Sequence, residues 1–270
     1  MVGGPRETYS HGHHDSVLRS HRWRTAENSA GYLLPFLQAA DRLLDIGCGP
    51  GTITMDLAGR LSAGQVVGLD VAADVVALAR QQARSSGQGR VEFVVGSVYA
   101  LDFPDDTFDV VHAHQVLQHL ADPVAALREM RRVCRPGGLV AARDADYAAM
   151  TWFPADPGLS RWLDLYQKVA RSNGGEPDAG RRLRSWARSA GFASVQASAS
   201  VWCFADEHDV SWWSETWAER VVRSSFGQHA LDGGWADADQ LAELASSWRQ
   251  WATSPDAWFS ILHGEILATA

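Results

Sequence analysis

The sequence predicts an α/β fold: a doubly wound, mostly parallel seven-stranded sheet, preceded by a helical lid and carrying a helical cap before its last strand. Three observations carry that prediction. Short apolar runs alternate with amphipathic helical stretches between residues 42 and 143, the pattern of right-handed βαβ crossovers. The first run, Leu43-Leu44-Asp45-Ile46, opens onto Gly47-Cys48-Gly49-Pro50-Gly51, a turn that lets backbone approach a small molecule with no Cβ in the way. The second, Val66-Val67-Gly68-Leu69, ends in Asp70, an acid placed to accept hydrogen bonds from ribose hydroxyls.

Residues 1–14 are polar, contain Gly3, Gly4 and Pro5, and read as a flexible tail. Residues 15–38 read as helical, with breaks near Gly31 and Pro35. Strands are expected at 42–46, 65–69, 91–95, 108–113 and 137–143, and helices at 52–61, 73–85 and 123–134. Arg135-Pro136-Gly137-Gly138 marks the turn into the fifth strand. Helices follow at 157–173 and 178–190, with Gly191 as a stop, then a strand at 193–204. Residues 207–253 are mostly helical, and the apolar run 258–268 closes the sheet, so the helices between are an insertion. The chain thus divides into a lid segment (1–38), a ligand-binding core (39–145) and the rest of the sheet with its cap (146–270), within one compact domain.

Of twelve tryptophans, eleven lie after residue 150, which makes the cap unusually aromatic. Most should pack helices onto the sheet, while several, over the open end of a parallel sheet, should line an apolar substrate cavity. Lys and Arg total 24 against 32 Asp and Glu, a formal net charge of −8 that argues against nucleic acid as a substrate. The local basic run Arg181-Arg182-Leu183-Arg184 reads as a solvated helix face. Cys48, Cys134 and Cys203 have neither metal-ligand spacing nor an even count, and no apolar stretch is long enough to span a bilayer. The expectation is a cytoplasmic protein without a metal.

The glycine spacing narrows the ligand. A dinucleotide fingerprint is G-x-G-x-x-G; here the third glycine comes one residue early and Thr52 follows it. With no lysine after the turn, a phosphate-cradling P-loop is excluded as well. The segment Leu101-Asp102-Phe103-Pro104-Asp105-Asp106-Thr107-Phe108-Asp109-Val110-Val111-His112-Ala113-His114-Gln115-Val116-Leu117-Gln118-His119-Leu120 is the most specific feature of the chain. With the glycine turn, the acidic end of strand two and Arg-Pro-Gly-Gly before strand five, it resembles the ubiquinone/menaquinone-biosynthesis-type branch of the class I S-adenosylmethionine (SAM) methyltransferases, which have a Rossmann-like sheet. The resemblance covers about residues 30–145.

That resemblance implies SAM as cofactor, with S-adenosylhomocysteine as product, and a small-molecule methyl acceptor. Asp45, Gly47, Gly49 and Gly51 would lie along the methionine portion, with Thr52 beside them. Asp70 would bind the ribose, Val71 would pack on adenine, and Ser97 and Val98 would flank it, although the family more often has an acid at the position of Ser97. His114 and Gln115 would sit beside the methionine end, and Tyr9, Arg24 and Asn28 of the lid would contact the cofactor's amino-acid end.

Methyl transfer asks the protein to align a nucleophile with an already activated methyl group and to exclude water. Candidates for a base or substrate orienter are His119, Asp144 and Tyr147 from the sheet and His11 or His14 from the N-terminal segment. The expected reaction is O- or S-methylation of a small, largely apolar or aromatic metabolite. C- or N-methylation on the same fold, a nicotinamide-dependent oxidoreductase and a non-catalytic SAM-binding protein are the alternatives. The oxidoreductase is opposed by the glycine spacing and by the lack of a Tyr-x-x-x-Lys pair, Lys168 being the only lysine.

Overall fold

The computed structural model describes residues 23–87 and 89–270. Tyr9, His11, His14 and most of the expected lid lie outside the described residues. Strand β1 (Arg42–Ile46) is central, with Leu43, Leu44 and Ile46 buried, as expected of a parallel strand covered on both faces. It pairs in parallel with β2 (Gln65–Asp70) on one side and β4 (Phe108–His114) on the other. Beyond β2 lies β3 (Val91–Val95), and beyond β4 lies β5 (Cys134–Ala145), both parallel to their neighbours. Helices α2 (Thr52–Arg60), α3 (Ala73–Ser85) and α4 (Pro123–Val133) make the crossovers. The order of winding reverses between β1 and β4, the switch point at which open sheets of this kind bind ligands.

Local chemistry explains the crossovers. The Asp122 side chain accepts the Ala125 amide at 2.9 Å, and Pro123 follows at the first helical position, so α4 starts abruptly. Ala126, Leu127, Met130 and Val133 then turn one apolar face onto the sheet.

Among the described residues the sheet has eight strands, one more than expected. Strand β8 (Trp258–Thr269) runs antiparallel and is flanked from Phe259 to Thr269 by β7 (Ser194–Phe204). On its other edge Leu139 to Ala145 of β5 pair with Thr269 to His263, and the short β6 (Thr151–Phe153) continues that edge against Ser260 to Trp258. Three residues carry no readable alternation, so β6 left no trace in the sequence. In the described part of the N-terminal segment the expected breaks near Gly31 and Pro35 are both present. The described part holds α1 (Ala26–Ala30), opened by a Thr25–Asn28 capping box, and a 3-10 turn at Leu34–Phe36 that contains Pro35.

The cap consists of α5 (Pro157–Ser172), α7 (Glu207–Arg223), α8 (Ser225–Asp232) and α9 (Ala238–Trp251); α7 to α9 are the insertion between β7 and β8. Its centre is a cluster of fully buried indoles. Trp162 meets Trp217 at 4.4 Å and 71°, and Trp248 at 4.8 Å and 82°, edge-to-face geometries that suit the ring quadrupoles. Phe204 of β7 and Phe259 of β8 join this cluster and fasten the cap to the sheet.

The expected helix 178–190 splits into a 3-10 turn (Gly180–Arg182) and α6 (Leu183–Ser189). The turn aims Arg181 at the buried Asp146, with two hydrogen bonds of 2.6 and 2.5 Å, and Arg182 pairs with Glu176 at 3.0 Å. Two members of the basic run are therefore neutralised by partners. No helix among the described residues is long and apolar enough to cross a membrane.

Candidate functional site

A single continuous cavity opens at the carboxyl ends of β1, β2, β4 and β5 and runs beneath the aromatic cap. At one end lies the glycine turn. Gly47 has φ +64°, and a Cβ there would stand 2.4 Å from a methyl carbon of Val116, so only glycine fits. Gly49 donates its amide to Asp70 Oδ2 at 3.0 Å, and Ala72 donates to Oδ1 at 3.0 Å. These bonds fix the carboxylate at the end of β2 while its further lone pairs face the cavity. Beside it Val71 is 64 % exposed, an apolar side chain in the wall with a flat face to offer.

Asp45 forms the floor. Its Oδ1 contacts His112 Nδ1 at 2.7 Å and its Oδ2 accepts from Thr54 Oγ1 at 2.6 Å. Both oxygens therefore hold partners within the protein, which locks the carboxylate at the mouth of the glycine turn.

The end of β4 supplies the middle of the cavity. Gln115 has φ +53°, a backbone strain at a non-glycine residue, held in place by its amide on the Arg143 carbonyl at 2.7 Å. Its side chain accepts from Arg24 Nη2 at 2.6 Å and meets His263 Nε2 at 2.8 Å. Because His263 Nδ1 lies 3.2 Å from the Ile261 carbonyl, Nδ1 carries the proton and Nε2 accepts from the Gln115 amide. A chain of hydrogen bonds thus links the lid to the strand that carries the cap. His114 lines the same wall, is buried, and neither ring nitrogen has a hydrogen-bond partner among the described residues. Burial, followed by the charges of Arg143 and Arg24, holds its pKa well below the usual histidine value.

His119 follows on a 3-10 turn at Leu117–His119. The Gln118 side-chain oxygen accepts the Ala145 amide at 3.1 Å, so its amino group faces His119 Nε2 at 3.0 Å and donates to it. In the neutral ring the proton is then on Nδ1. Burial, aided by Arg24, pushes the His119 pKa down to about 3, so at neutral pH the ring is an uncharged donor and a weak base. Tyr147 also lines the cavity and stacks on Tyr166 at 4.1 Å.

At the far end the wall is Trp23, Trp202, Trp212, Trp213, Met150, Ile261 and Arg220. Trp23 meets Trp202 edge-on at 5.0 Å and Trp212 at 5.7 Å. The Trp202 indole donates to the Asn28 carbonyl at 2.6 Å, which ties the lid to β7.

The cavity brings together Arg24, Asp45, Gly47, Gly49, Thr52, Asp70, Val71, His114, Gln115, His119 and Tyr147 of the sequence-derived set. Five other residues depart from it. Gly51 faces inward, where a Cβ would sit 2.6 Å from the Phe93 ring, so its φ of +86° serves to seat α2 against β3. Val98 is packed in the core below the sheet edge, and Ser97 turns its hydroxyl to the Tyr99 amide at 3.3 Å. Asp144 is buried behind the turn, with Oδ1 accepting the Gln118 amide at 3.2 Å, and burial raises its pKa to about 8. Asn28 closes the α1 capping box at 2.9 Å. The wall residues that the sequence reading did not name as candidates include Trp23, Gln118 and Arg220. An arginine in the tryptophan-rich helix α7 was the one available signal.

A methyltransferase-domain family matches residues 37–191. The chain is 36 % identical over 269 residues to an uncharacterized methyltransferase of Schizosaccharomyces pombe, covering 96 % of this chain and 95 % of the relative. It is 31 % identical over 202 residues to the 27-O-demethylrifamycin SV methyltransferase of Amycolatopsis mediterranei, covering 67 % and 71 % of the two chains. Among solved structures, the [4+2]-cyclase SpnF superposes with a TM-score of 0.52 at 24 % identity, over 92 % of this chain and 80 % of that one, a likeness of fold.

Proposed function

The chain belongs to the methyltransferase-domain family and is a SAM-dependent enzyme, and on that premise we propose that it methylates an oxygen of a small, largely apolar aromatic metabolite. The observation that carries this reading is the continuity of one cavity from the glycine turn and Asp70 to the walls of Trp23, Trp202, Trp212 and Trp213. Cofactor and acceptor then share one enclosure from which water is excluded.

The cofactor supplies a methyl group already activated on a sulfonium sulfur. Residues 39–145 hold it, and residues 146–270 supply the cap. Asp70, pre-set by two backbone amides, receives the ribose hydroxyls, and exposed Val71 packs on the adenine. The turn at Gly47 and Gly49, with Thr52, passes along the amino-acid tail; Asp45 keeps that turn in shape through His112 and Thr54. His114, with buried nitrogens lacking a described partner, and Gln115 flank the methionine end. Arg24 latches the lid there through Gln115.

His119, with Nε2 accepting from Gln118 and its basicity low, orients the acceptor from the cavity wall. Tyr147 shapes the same wall. Such a site suits a hydroxyl that is acidic by itself, a phenol or an enol, for which no strong base is needed. The acidic balance of the chain supports a small molecule over nucleic acid, and three cysteines without a disulfide support a cytoplasmic setting.

A radiolabelled methyl-transfer screen over phenols, quinols, carboxylates and thiols tests the proposal. Transfer to phenols or quinols is expected, with kcat/KM rising as the acceptor becomes more acidic across a substituted series. Transfer confined to thiols, or tight SAM binding with no transfer at all, overturns it.

A further inference from the structure

His114 is the last residue of β4, and its side chain belongs to the cavity wall where the cofactor end meets the cap. It is only 5 % exposed, and neither Nδ1 nor Nε2 has a hydrogen-bond partner among the described residues. Burying an imidazole with both nitrogens unpaired costs the desolvation of one donor and one acceptor, and a ligand group that pairs with it recovers that cost.

The neighbouring side chains are committed elsewhere. Trp202 and His263 flank the ring, with centroids at 5.5 and 6.1 Å. The Trp202 N–H donates to the Asn28 carbonyl, while His263 places Nδ1 on the Ile261 carbonyl and Nε2 on Gln115. The Gln115 oxygen accepts from Arg24, and His112 is turned to Asp45. Arg143 directs Nε and Nη2 to Ser200 and Glu265 and stands outside the cavity lining.

Charge fixes the form of the ring. Arg143 faces it from β5, Arg24 from the lid, His263 from β8 and His112 from its own strand, while the acids Glu265 and Asp45 are engaged by Arg143 and by His112 with Thr54. Burial and these cations disfavour protonation, so at neutral pH the imidazole carries one N–H and one lone pair. The lone pair requires a donor from the ligand. A carboxylate, an ether, a carbonyl or a thiolate has none, whereas an un-ionised hydroxyl does.

We propose that His114 binds the hydroxyl of the methyl acceptor through its imidazole lone pair, so that the site selects an acceptor with an intact O–H. This deepens the oxygen-methylation reading and rests on it. As the acceptor oxygen bonds to the methyl group, the electron pair of the breaking sulfur–methyl bond stays on sulfur and the hydroxyl proton moves to the His114 nitrogen that held it. A hydroxyl that has gained a methyl group is a far stronger acid than imidazolium, so a weakly basic imidazole suffices. The imidazolium then returns its proton to solvent as the methyl ether leaves.

The test is binding of 2-naphthol against 2-fluoronaphthalene, which has a similar shape and no O–H. Each is titrated into the full chain saturated with S-adenosylhomocysteine and followed by calorimetry and tryptophan fluorescence. The naphthol should bind about tenfold more tightly. His114→Phe should remove that preference, and His114→Gln, which can still accept a hydrogen bond, should restore part of it. The ratio of the two affinities is read within one variant, so a change in cofactor binding does not enter it. With SAM and 2-naphthol, His114→Gln should lower kcat about 100-fold, because the amide holds the hydroxyl but takes no proton. Equal affinities in the unaltered protein, no binding of either probe, a preference that persists in His114→Phe, or an unchanged kcat in His114→Gln each overturn the proposal. Preferential binding of 2-naphthol without any transfer supports the hydroxyl contact and sinks the oxygen-methylation reading; transfer to 2-naphthol without the preference sinks the contact alone.

Discussion

The two ends of the cavity are built by different means. The cofactor end is made by backbone: amides of Gly49 and Ala72 fix Asp70, and residues 45 to 54 supply the floor from one stretch of chain. The cap end is made by side chains that arrive from Trp23, Met150, Trp202, Trp212, Arg220 and Ile261, separated by up to 238 positions. Backbone geometry tolerates few sequences, so the first end is constrained to one class of ligand. Side chains on distant elements can be exchanged singly, so the second end can vary while the first is kept.

Substitutions that separate the two ends test this contrast. Trp162→Ala removes the centre of the cap cluster without touching the cavity, and it should lower stability by about 3–5 kcal/mol. Urea unfolding measures this; a loss under 1 kcal/mol would mean that the cap contributes little to the fold. SAM affinity of the folded fraction should be nearly unchanged.

The next effect concerns the junction of the ends, where His114, His119 and His263 are all held below the ordinary histidine pKa by burial. Below about pH 6.5 the unfolded chain binds these three protons and the folded chain does not, so stability falls as pH falls. Asp144 opposes this, because its raised pKa means the folded state keeps a proton that the unfolded state has lost between about pH 4 and 8. The three histidines outweigh the single carboxyl, so stability falls between pH 6 and pH 5. His119→Asn should flatten the slope by about one proton. A stability that rises as the pH falls over that interval, the sign that Asp144 gives by itself, would show that these rings titrate normally.

Asp70→Ala acts on the cofactor end alone, and SAM affinity measured by calorimetry should fall about 30-fold, close to 2 kcal/mol. Affinity for the methyl acceptor should stay as it was. The smallest effect is Trp212→Ala, partly exposed at the cap end, which should raise acceptor KM roughly fivefold, about 1 kcal/mol, with SAM affinity intact. A coupled loss of both affinities in either variant would merge the two ends into one unit.

The elements that were legible are those whose signal is local. Strands at 42–46 and 91–95 and the helix at 73–85 have the expected bounds, because their periodicity and stops lie within their own residues. Residues on the carboxyl ends of strands were legible for the same reason: once β1, β2 and β4 are placed, Asp45, Asp70 and His114 follow. Gly51 and Val98 lie outside the cavity lining, because which side of a turn faces a cavity depends on what packs against it, here Phe93 and the sheet core. His119 carried a further ambiguity. Its place after strand four marks it for the site, yet its role depends on Gln118 being pinned by the Ala145 amide, a bond between two strands' ends.

By itself, then, the sequence determined the parallel sheet, the position of the switch point and the cofactor, since apolar periodicity and glycine spacing are properties of contiguous residues. Tertiary structure alone decided the eighth strand, the tautomers of His119 and His263, and the convergence of Trp23, Trp202, Trp212 and Trp213 on one cavity wall. Those depend on burial and on contacts between segments far apart in the chain, and neither quantity is written at any single position.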